Sequence, residues 1–597
     1  NIVIVEKEKI VSNNEEVAQK LNDFFLKSVE NLEIESFPTP NGIDKETHDI
    51  DEIIKLYELH PSILKIKEHV KIETKFSFSE TTSNKIENEI RRLDKTKATT
   101  KNDIPTKILI GSQDIVSNYL SNIYNSSKNE NIFPKELKLA DVTPIHKKDE
   151  TTNLKNYRPV SLLPVISKIF EREMYENIMN YFEKHLSPYL FGYRKGYSTE
   201  QCLTVMLEQW KKALDNKGQA GAILTDLSKA FDCLNHNLLL AKLAAYGFGK
   251  NSLLFIQNYL KDRKQRTKIN ESFSLWLELK YGVPQGSILG PLLFNIFIND
   301  MFLFIKDTKI ANYADDNSLY AIENSIDTLL KTLKKETTVT LDWFRSNEMK
   351  PNDDKCHLIV CNQDNLSVTL VKEKIKSEKT VELLGVTIDN NLKFTSHVTG
   401  LIKKGNKKLH ALARISKYLS EEKLKILMKT FIQSQFNYSP LVWMFHNRTL
   451  NHKINKLHER ALRIVYKNDA LTFQELLDKD GSVTVHQRNL QRLATEMFKI
   501  KTGISPKPMQ ELFVEKAYQH DLRQKRSWEV FNIRTVRYGK ETIRYMGPKI
   551  WDLVPKEIKE SKTLLEFKYK IKKWKPTNCT CRLCMTYVHD LGYVTTC

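Results

Sequence analysis

The chain has 597 residues, which excludes a protein of one ordinary domain and is enough for several. Hydrophobic residues make up 41% of it and charged residues 28%, so large buried cores can form. The 93 Lys and Arg residues outnumber the 73 Asp and Glu residues, for a formal charge of +20, which fits a polyanionic partner such as nucleic acid as well as it fits a lysine-rich solvated surface.

The N-terminal region, residues 1–95, is mostly polar. Residue 1 is Asn rather than Met, so we expect the chain to be a fragment of a longer product. Four apolar residues have the spacing of a helix face: Val17, Leu21, Phe24 and Phe25. Charged residues, Ser and Thr are mixed through residues 34–84, and from this mixture we predict a loosely packed N-terminal extension.

No segment predicts secretion or insertion into a membrane. Residues 1–9 do not have the form of a signal peptide. The most apolar stretch, residues 291–305, is interrupted by Asn295, Asn299 and Asp300, and it is shorter than the roughly 20 residues that a membrane span needs.

From residue 96 to about 390, short apolar runs alternate with amphipathic stretches and with Gly, Pro or Asn, a pattern typical of an α+β domain. Residues 222–224 predict a buried strand with Asp226 at its carboxyl end, and residues 237–246 predict a helix that Gly247 ends. An acid presented between a strand and a helix is well placed to hold a metal ion.

A second acidic motif lies at residues 310–320, where apolar residues flank Asp315 and Asp316. Neighbouring side chains on a strand point to opposite faces, so we predict a tight hairpin with both acids at its tip. Carboxylate oxygens suit Mg²⁺, a hard cation. Each acidic motif taken alone is more often an ordinary strand end or turn, so neither identifies the function by itself.

The chain becomes helical and basic between about residues 391 and 500. Four lysines of one stretch could follow a phosphate backbone or only solvate a helix face: Lys403, Lys404, Lys407 and Lys408. A break that contains Gly and Pro at residues 503–508 begins the C-terminal segment.

The 8 cysteines are unevenly distributed. Four are predicted to be reduced core thiols: Cys202, Cys233, Cys356 and Cys361. The C-terminal three, Cys579, Cys581 and Cys584, fit a tetrahedral zinc site with His589 or Cys597 as the fourth ligand, and they fit free thiols on a frayed terminus equally well.

The order of the motifs resembles that of reverse transcriptases. Between the two acidic motifs, residues 282–294 read GVPQGSILGPLLF, and the second acidic motif reads YADD. Upstream, residues 143–148 (TPIHKK) and 156–163 (NYRPVSLL) resemble the fingers of non-LTR, Jockey-like retrotransposon enzymes. Downstream residues that resemble the same enzymes include Trp343, Asn352, Tyr438 and Arg460, so the resemblance covers roughly residues 80–597.

The resemblance implies a role for individual residues. Asp226, Asp315 and Asp316 are implied to hold two Mg²⁺ ions, one at the primer 3′-hydroxyl and one at the triphosphate. Phe231 is implied to exclude the 2′-hydroxyl of ribonucleotides. The other implied contacts to the nucleotide and its phosphates are Lys147 or Lys148, Arg158, Gln285, Gly286 and Lys355, the last as a general acid for the leaving pyrophosphate.

The implied fold is α+β, a right-hand polymerase with fingers, a palm built on an antiparallel sheet, and a helical thumb. The predicted domains are an N-terminal extension (1–95), fingers and palm (96–390), the thumb (391–500), a C-terminal region (501–575) and a Cys-rich, zinc-binding tail (576–597).

The implied function is RNA-directed DNA synthesis for a non-LTR retrotransposon, with target-primed initiation. Its partners would be an RNA template, a DNA primer or target and dNTPs, and its location the nucleus after a cytoplasmic ribonucleoprotein stage. Two alternatives stay open, a catalytically decayed or host-adopted nucleic-acid-binding remnant and an intron-encoded maturase.

Overall fold

The computed structural model describes residues 2–6, 9–30, 32, 47–101, 103–352, 355–370, 373–516, 528–576, 578–579 and 581–584. The chain divides into two compact units. The first unit comprises Asn1–Tyr193, Asp226–Lys306 and Thr338–Asp354, and the second comprises Arg194–Thr225, Asp307–Thr337 and Lys355–Cys597. Each unit combines helices with mainly antiparallel sheets, so the α+β class is confirmed.

The first unit contains a five-stranded sheet. Its strands, in spatial order, are Tyr157–Leu162, Leu139–His146, Arg263–Ile269 and Ser272–Phe273, with Leu277–Leu279 also paired to Arg263–Ile269. Leu139–His146 and Arg263–Ile269 run parallel, and the other pairs are antiparallel. Two short ladders accompany this sheet: Ile4–Glu6 with Lys9–Val11, and Leu227–Ser228 with Lys350–Pro351.

The α-helices of the first unit lie before, between and after these strands in the sequence. They are Asn14–Glu30, Ile50–Leu56, Pro61–His69, Ser83–Arg91, Thr106–Gly111, Gln113–Glu130, Val165–Phe182, His236–Ala245, Lys250–Leu260 and Gly290–Ile298. The helix Ile326–Ser346 contributes its C-terminal part to this unit and its N-terminal part to the second.

The N-terminal region is not loosely packed where the structure describes it, so that prediction is wrong. Val17, Leu21 and Phe25 lie on one face of the helix Asn14–Glu30 and are buried with apolar residues of the five-stranded sheet. The spacing of these residues predicted a helix face correctly, but the apolar partners lie more than a hundred residues later in the chain, where no local pattern indicates them.

A fully buried ion pair lies in the core of the first unit. The Lys242 Nζ atom is 2.6 Å from Asp300 Oδ1, and both side chains are 0% exposed. Lys242 also donates to the Phe297 carbonyl oxygen at 2.7 Å, and Trp343 Nε1 donates to Asp300 Oδ2 at 2.8 Å. These bonds satisfy both charges, which would otherwise be costly to bury.

The second unit contains a four-stranded antiparallel sheet, called the central sheet below. Its strands, in spatial order, are Lys309–Tyr313, Asp316–Glu323, Gln219–Thr225 and His357–Val360. Gln219–Thr225 is an interior strand and is buried along almost its whole length, because its run of small and branched apolar residues suits a strand covered on both faces.

Two hairpins extend this unit, Ser367–Leu370 with Glu373–Lys376 and Thr380–Leu383 with Val386–Asp389. In the second hairpin Leu384 and Gly385 both have positive φ values, as primed two-residue turns require. The Tyr438 hydroxyl donates to the Leu384 carbonyl oxygen at 2.6 Å and so fixes this turn.

Helices make up most of the second unit after residue 391, as predicted. The α-helices of the unit are Thr199–Asp215, Thr395–Ile415, Glu421–Leu427, Pro440–Trp443, Arg448–Tyr466, Phe473–Asp480, Val485–Lys501, Lys507–Gln510, Ile543–Leu553, Lys556–Lys559 and Leu564–Ile571. Among the helices of the described ranges, none combines the length and apolarity needed to cross a bilayer.

Candidate active site

Two of the predicted acids adjoin the last residue pair of one ladder of the central sheet. The interior strand Gln219–Thr225 pairs with Asp316–Glu323, and Thr225 lies opposite Asn317 at the end of this ladder. Asp226 is the next residue after Thr225, and Asp316 is the residue before Asn317. The strand over residues 222–224, with Asp226 following it, is therefore confirmed.

The predicted hairpin is present and its turn is short. Tyr313 pairs with Asp316, so Ala314 and Asp315 form the two-residue connection. Ala314 has a φ of +59°, the left-handed conformation that turns of this length use. Asp315 is half-buried, whereas Asp316 is exposed and begins the second strand rather than occupying the tip.

Two amide side chains that the sequence did not single out hold this turn. Asn312 Nδ2 donates to the Ala314 carbonyl oxygen at 2.9 Å and to Asn317 Oδ1 at 2.8 Å. Asn317 Nδ2 donates to the Asp315 carbonyl oxygen at 3.1 Å. Both asparagines are buried, so the turn that carries Asp315 and leads into Asp316 has its backbone fixed from inside the sheet.

In the first unit, the backbone after Asp226 is also held in place. The Asp226 carbonyl oxygen accepts a hydrogen bond from the Asn352 backbone N–H at 2.9 Å, and Leu227–Ser228 then pairs with Lys350–Pro351. Asp226 is half-buried. Asp226, which is predicted to hold a metal ion, therefore directly precedes a short antiparallel ladder, and this ladder fixes the backbone next to it.

Phe231 packs against two other rings of the first unit. Its ring stacks on Phe294 at a centroid distance of 4.3 Å and an interplanar angle of 24°. Tyr193 contacts it edge-on at 5.6 Å. Phe231 is half-buried, so one part of the ring is fixed by stacking while another part faces solvent, as a residue that limits the size of a bound ligand requires.

Gln285 and Gly286 lie in a loop whose backbone approaches a neighbouring strand closely. The Ser161 backbone N–H donates to the Gln285 carbonyl oxygen at 2.8 Å. Gly286 has a φ of +140°, and a Cβ atom there would lie 2.3 Å from the Ser161 carbonyl oxygen. Only glycine fits this contact.

The Gln285 side chain is oriented by Asp232. Gln285 Nε2 donates to Asp232 Oδ1 at 2.8 Å. Burial raises the pKa of the Asp232 carboxyl, and the hydrogen bond from Gln285 opposes this shift. Asp232 is thus a positioning residue that the sequence analysis did not assign a role.

Glu171 is a second residue that the sequence analysis missed. It is fully buried, and its carboxylate accepts from the backbone N–H of Ile288 at 2.6 Å and from the Tyr259 hydroxyl at 3.1 Å. Burial raises its pKa, while the nearby Arg263 acts in the opposite direction. Since Ile288 follows Gly286 closely in the chain, Glu171 anchors the far side of the same loop.

Arg158 lies on the strand Tyr157–Leu162, and Lys147 directly follows the adjacent strand Leu139–His146. Arg158 pairs with Ile145, and the Lys147 N–H extends the ladder by donating to the Asn156 carbonyl oxygen at 2.8 Å. This register makes Lys147 and Arg158 diagonal neighbours on one face, which are typically about 7–8 Å apart. Both are exposed, so the pair presents two cations to solvent on one surface.

Lys355 and the predicted zinc ligands belong to the second unit. Lys355 is exposed, just before the strand His357–Val360. Cys579 and Cys581 are buried and Cys584 is half-buried. His589 and Cys597, the two proposed fourth ligands, lie outside the described residues. The four central cysteines are buried free thiols, as predicted: Cys202, Cys233, Cys356 and Cys361.

Residues 145–388 match the family described as reverse transcriptase (RNA-dependent DNA polymerase), and this segment includes every residue predicted to act in polymerisation. This segment is therefore similar to reverse transcriptases, and relatives of the chain include the RNA-directed DNA polymerases of the mobile element jockey and of transposon BS.

Three relatives from fruit flies illustrate the similarity. The RNA-directed DNA polymerase from mobile element jockey of Drosophila melanogaster is 29% identical over 336 residues, 54% of this chain and 37% of that protein. The jockey polymerase of Drosophila funebris is 28% identical over 365 residues, 58% of this chain and 39% of that protein. A probable RNA-directed DNA polymerase from transposon BS is 26% identical over 365 residues, 58% of this chain and 40% of the Drosophila melanogaster protein. The chain thus spans about two fifths of these relatives.

Proposed function

We propose that this protein copies RNA into DNA for a non-LTR retrotransposon. The single observation that carries the proposal is the pairing of Thr225 with Asn317, because the next residues along the two strands are Asp226 and Asp316. Asp315 lies in the adjoining turn. Asp226 and the Asp315-Asp316 pair, about 90 residues apart in sequence, therefore adjoin paired positions of two neighbouring strands.

The donor set fits magnesium. All three side chains offer hard oxygen ligands, and adjacent like charges such as Asp315 and Asp316 are costly unless solvent or a cation compensates them. Asp226 with Asp315 would hold two Mg²⁺ ions, and Asp316 would add charge nearby. When bound, such a metal pair activates the primer 3′-hydroxyl and stabilises the charge of the triphosphate.

The remaining site residues would handle the nucleotide. Lys147 and Arg158 present positive charge for the phosphate oxygens, and the guanidinium of Arg158 suits bidentate contacts. Gln285 would contact the dNTP, and Gly286 would let the backbone approach it closely. Lys355 would donate a proton to the leaving pyrophosphate.

The proposed architecture is that of a right hand. Residues 96–390 would form fingers and palm around the central sheet, and residues 391–500 would form the thumb, whose exposed lysines would contact the backbone of the duplex. Synthesis would begin from a nicked DNA target in the nucleus, after assembly with the element RNA in the cytoplasm.

The proposal is tested by primer extension. The purified chain is incubated with an RNA template, an annealed DNA primer, dNTPs and Mg²⁺, and products are resolved on a denaturing gel. Template-length DNA that depends on both the RNA and Mg²⁺ is expected. RNA binding without any extension at saturating dNTP would instead favour the decayed or host-adopted remnant.

Phe231→Val is expected to reduce selectivity for dNTPs over rNTPs about a hundredfold, because removing the ring opens the space that a 2′-hydroxyl needs. The measurement is kcat/KM for single dCTP and CTP additions opposite template G. Phe302→Val, the same change at a half-buried phenylalanine outside the predicted site, is the matched control and should leave selectivity unchanged. Unaltered selectivity in Phe231→Val would remove this residue from the nucleotide site.

The intron-encoded maturase is the weaker alternative. A putative COX1/OXI3 intron 1 protein of Saccharomyces cerevisiae is 27% identical over 150 residues, only 25% of this chain. The jockey relatives match more than twice that share of the chain at similar identity, which favours the retrotransposon.

A further inference from the structure

Two of the C-terminal cysteines, Cys581 and Cys584, lie close in space to a histidine of a helix that is far away in sequence. His486 lies in the first turn of the helix Val485–Lys501 and is buried, with Thr484 capping the helix. Its Nε2 atom is 3.1 Å from the Cys581 sulfur. No pattern in the sequence links these two residues, which are 95 positions apart.

Two of the thiols lie side by side, and the third is close to them in sequence. The Cys584 backbone N–H donates to the Cys581 sulfur at 3.4 Å, and Cys579, two residues before Cys581, is buried. The ligand atoms of His486, Cys581 and Cys584 all lie within 4.8 Å of one another. With Zn–S bonds of about 2.3 Å and Zn–N bonds of about 2.0–2.1 Å, ligand atoms at the corners of a tetrahedron are roughly 3.5–3.8 Å apart.

We infer that His486 joins Cys579, Cys581 and Cys584 in a zinc site of the Cys₃His type. Three sulfur donors and one imidazole nitrogen are a donor set that Zn²⁺ prefers, whereas Mg²⁺ and Ca²⁺ prefer oxygen. With four protein ligands the coordination sphere is closed, so this is a structural site and not a catalytic one. The inference is independent of the proposed polymerase activity, since none of its ligands belongs to the candidate active site.

The surrounding contacts hold the cysteine segment against the second unit. Arg582 forms an ion pair with Glu541 at 2.8 Å, and its guanidinium donates to the His446 carbonyl oxygen at 3.4 Å; both partners lie outside the helix Val485–Lys501. On the helix itself, Gln491 Nε2 donates to the Trp574 carbonyl oxygen at 2.7 Å. The segment is thus attached to the helix through His486 and Gln491, and to other parts of the unit through Arg582.

The role of the metal follows from the sequence separation of its ligands. A zinc site whose ligands all came from the C-terminal tail would stabilise only a small local loop. A site that includes His486 closes a loop of about a hundred residues and links the C-terminal segment to the helical part of the second unit. Removing zinc is therefore expected to release the C-terminal segment from the helix Val485–Lys501 without unfolding the central sheet.

The test is metal content of the full chain. Wild-type protein dialysed against zinc-free buffer is expected to retain one Zn²⁺ per chain, measured by elemental mass spectrometry. His486→Ala should lower the affinity for Zn²⁺ about a hundredfold, as loss of a ligand or its support does. His410→Ala, at an exposed histidine of the same unit, is the matched control and should retain full occupancy.

Three further variants keep the result interpretable. His486→Cys should retain the metal and change the Co²⁺ absorption spectrum towards that of a four-sulfur site, which shows that loss in His486→Ala is not misfolding. His446→Ala and His589→Ala should both keep one Zn²⁺. Full occupancy with an unchanged Co²⁺ spectrum in His486→Ala, or loss of zinc in His446→Ala or His589→Ala alone, would overturn the assignment.

Discussion

Asp226→Asn and Asp315→Asn are each expected to lower the primer-extension rate about a thousandfold or more, which corresponds to about 4 kcal/mol of lost transition-state stabilisation. Asparagine keeps the size and shape of the side chain but removes the negative charge that two divalent cations need. Because the Asn312 and Asn317 side chains hold the backbone of the turn, the fold should survive the change at Asp315. Single-turnover extension with saturating primer and template measures the effect.

RNA affinity distinguishes lost chemistry from lost structure. Both variants should bind the RNA template as tightly as the wild type in filter-binding assays, because neither acid is predicted to contact the template. Asp327→Asn, the same change at an exposed acid of the second unit, should leave extension intact. Near-normal extension by either Asp226→Asn or Asp315→Asn would refute the metal assignment.

Lys242→Met is expected to destabilise the first unit by about 3–5 kcal/mol, because it leaves the Asp300 carboxylate buried without a cation. Methionine fills a similar volume, so the loss reflects charge and hydrogen bonding more than a cavity. Urea denaturation of the full chain, followed by tryptophan fluorescence, should show the transition of this unit at a lower midpoint.

A second change should restore much of that stability. In Lys242→Met combined with Asp300→Asn, no unpaired charge stays buried, and the asparagine oxygen can still accept from Trp343. Lys250→Met, at an exposed lysine paired with Asp51, provides the matched control and should cost about 1 kcal/mol or less. If the double variant were as unstable as Lys242→Met, the uncompensated charge would not be the cause.

The parts of the site that follow from neighbouring residues were predictable from the sequence. An apolar run followed by Asp226 specifies a strand end, and paired acids between apolar stretches specify the hairpin at Asp315. Asp316 lies in the strand because Tyr313 pairs with it, which leaves Ala314, with its left-handed φ, and Asp315 as the two turn residues. Local sequence does not determine which of the two central turn positions adopts that conformation.

The parts that depend on tertiary contacts were not predictable. Glu171 and Asp232 look like ordinary helix and loop acids, and only the fold brings them to Ile288 and Gln285. His486 shows the same limit, because a metal ligand in a helix has no local signature when its partners come from another segment. Sequence patterns can identify the residues proposed to bind metal or substrate. The residues that orient them, such as Glu171 and Asp232, become visible only in the folded structure.

The N-terminal helix Asn14–Glu30 has a practical consequence for preparing the protein. Its buried face covers Val142, Tyr157 and Ile269 on the five-stranded sheet. An expression fragment trimmed to the family match at residues 145–388 would lack this helix and would leave Tyr157 and Ile269 uncovered. Such a fragment would be prone to aggregate through the bare sheet face, so the smallest well-behaved polymerase fragment has to begin upstream of residue 14.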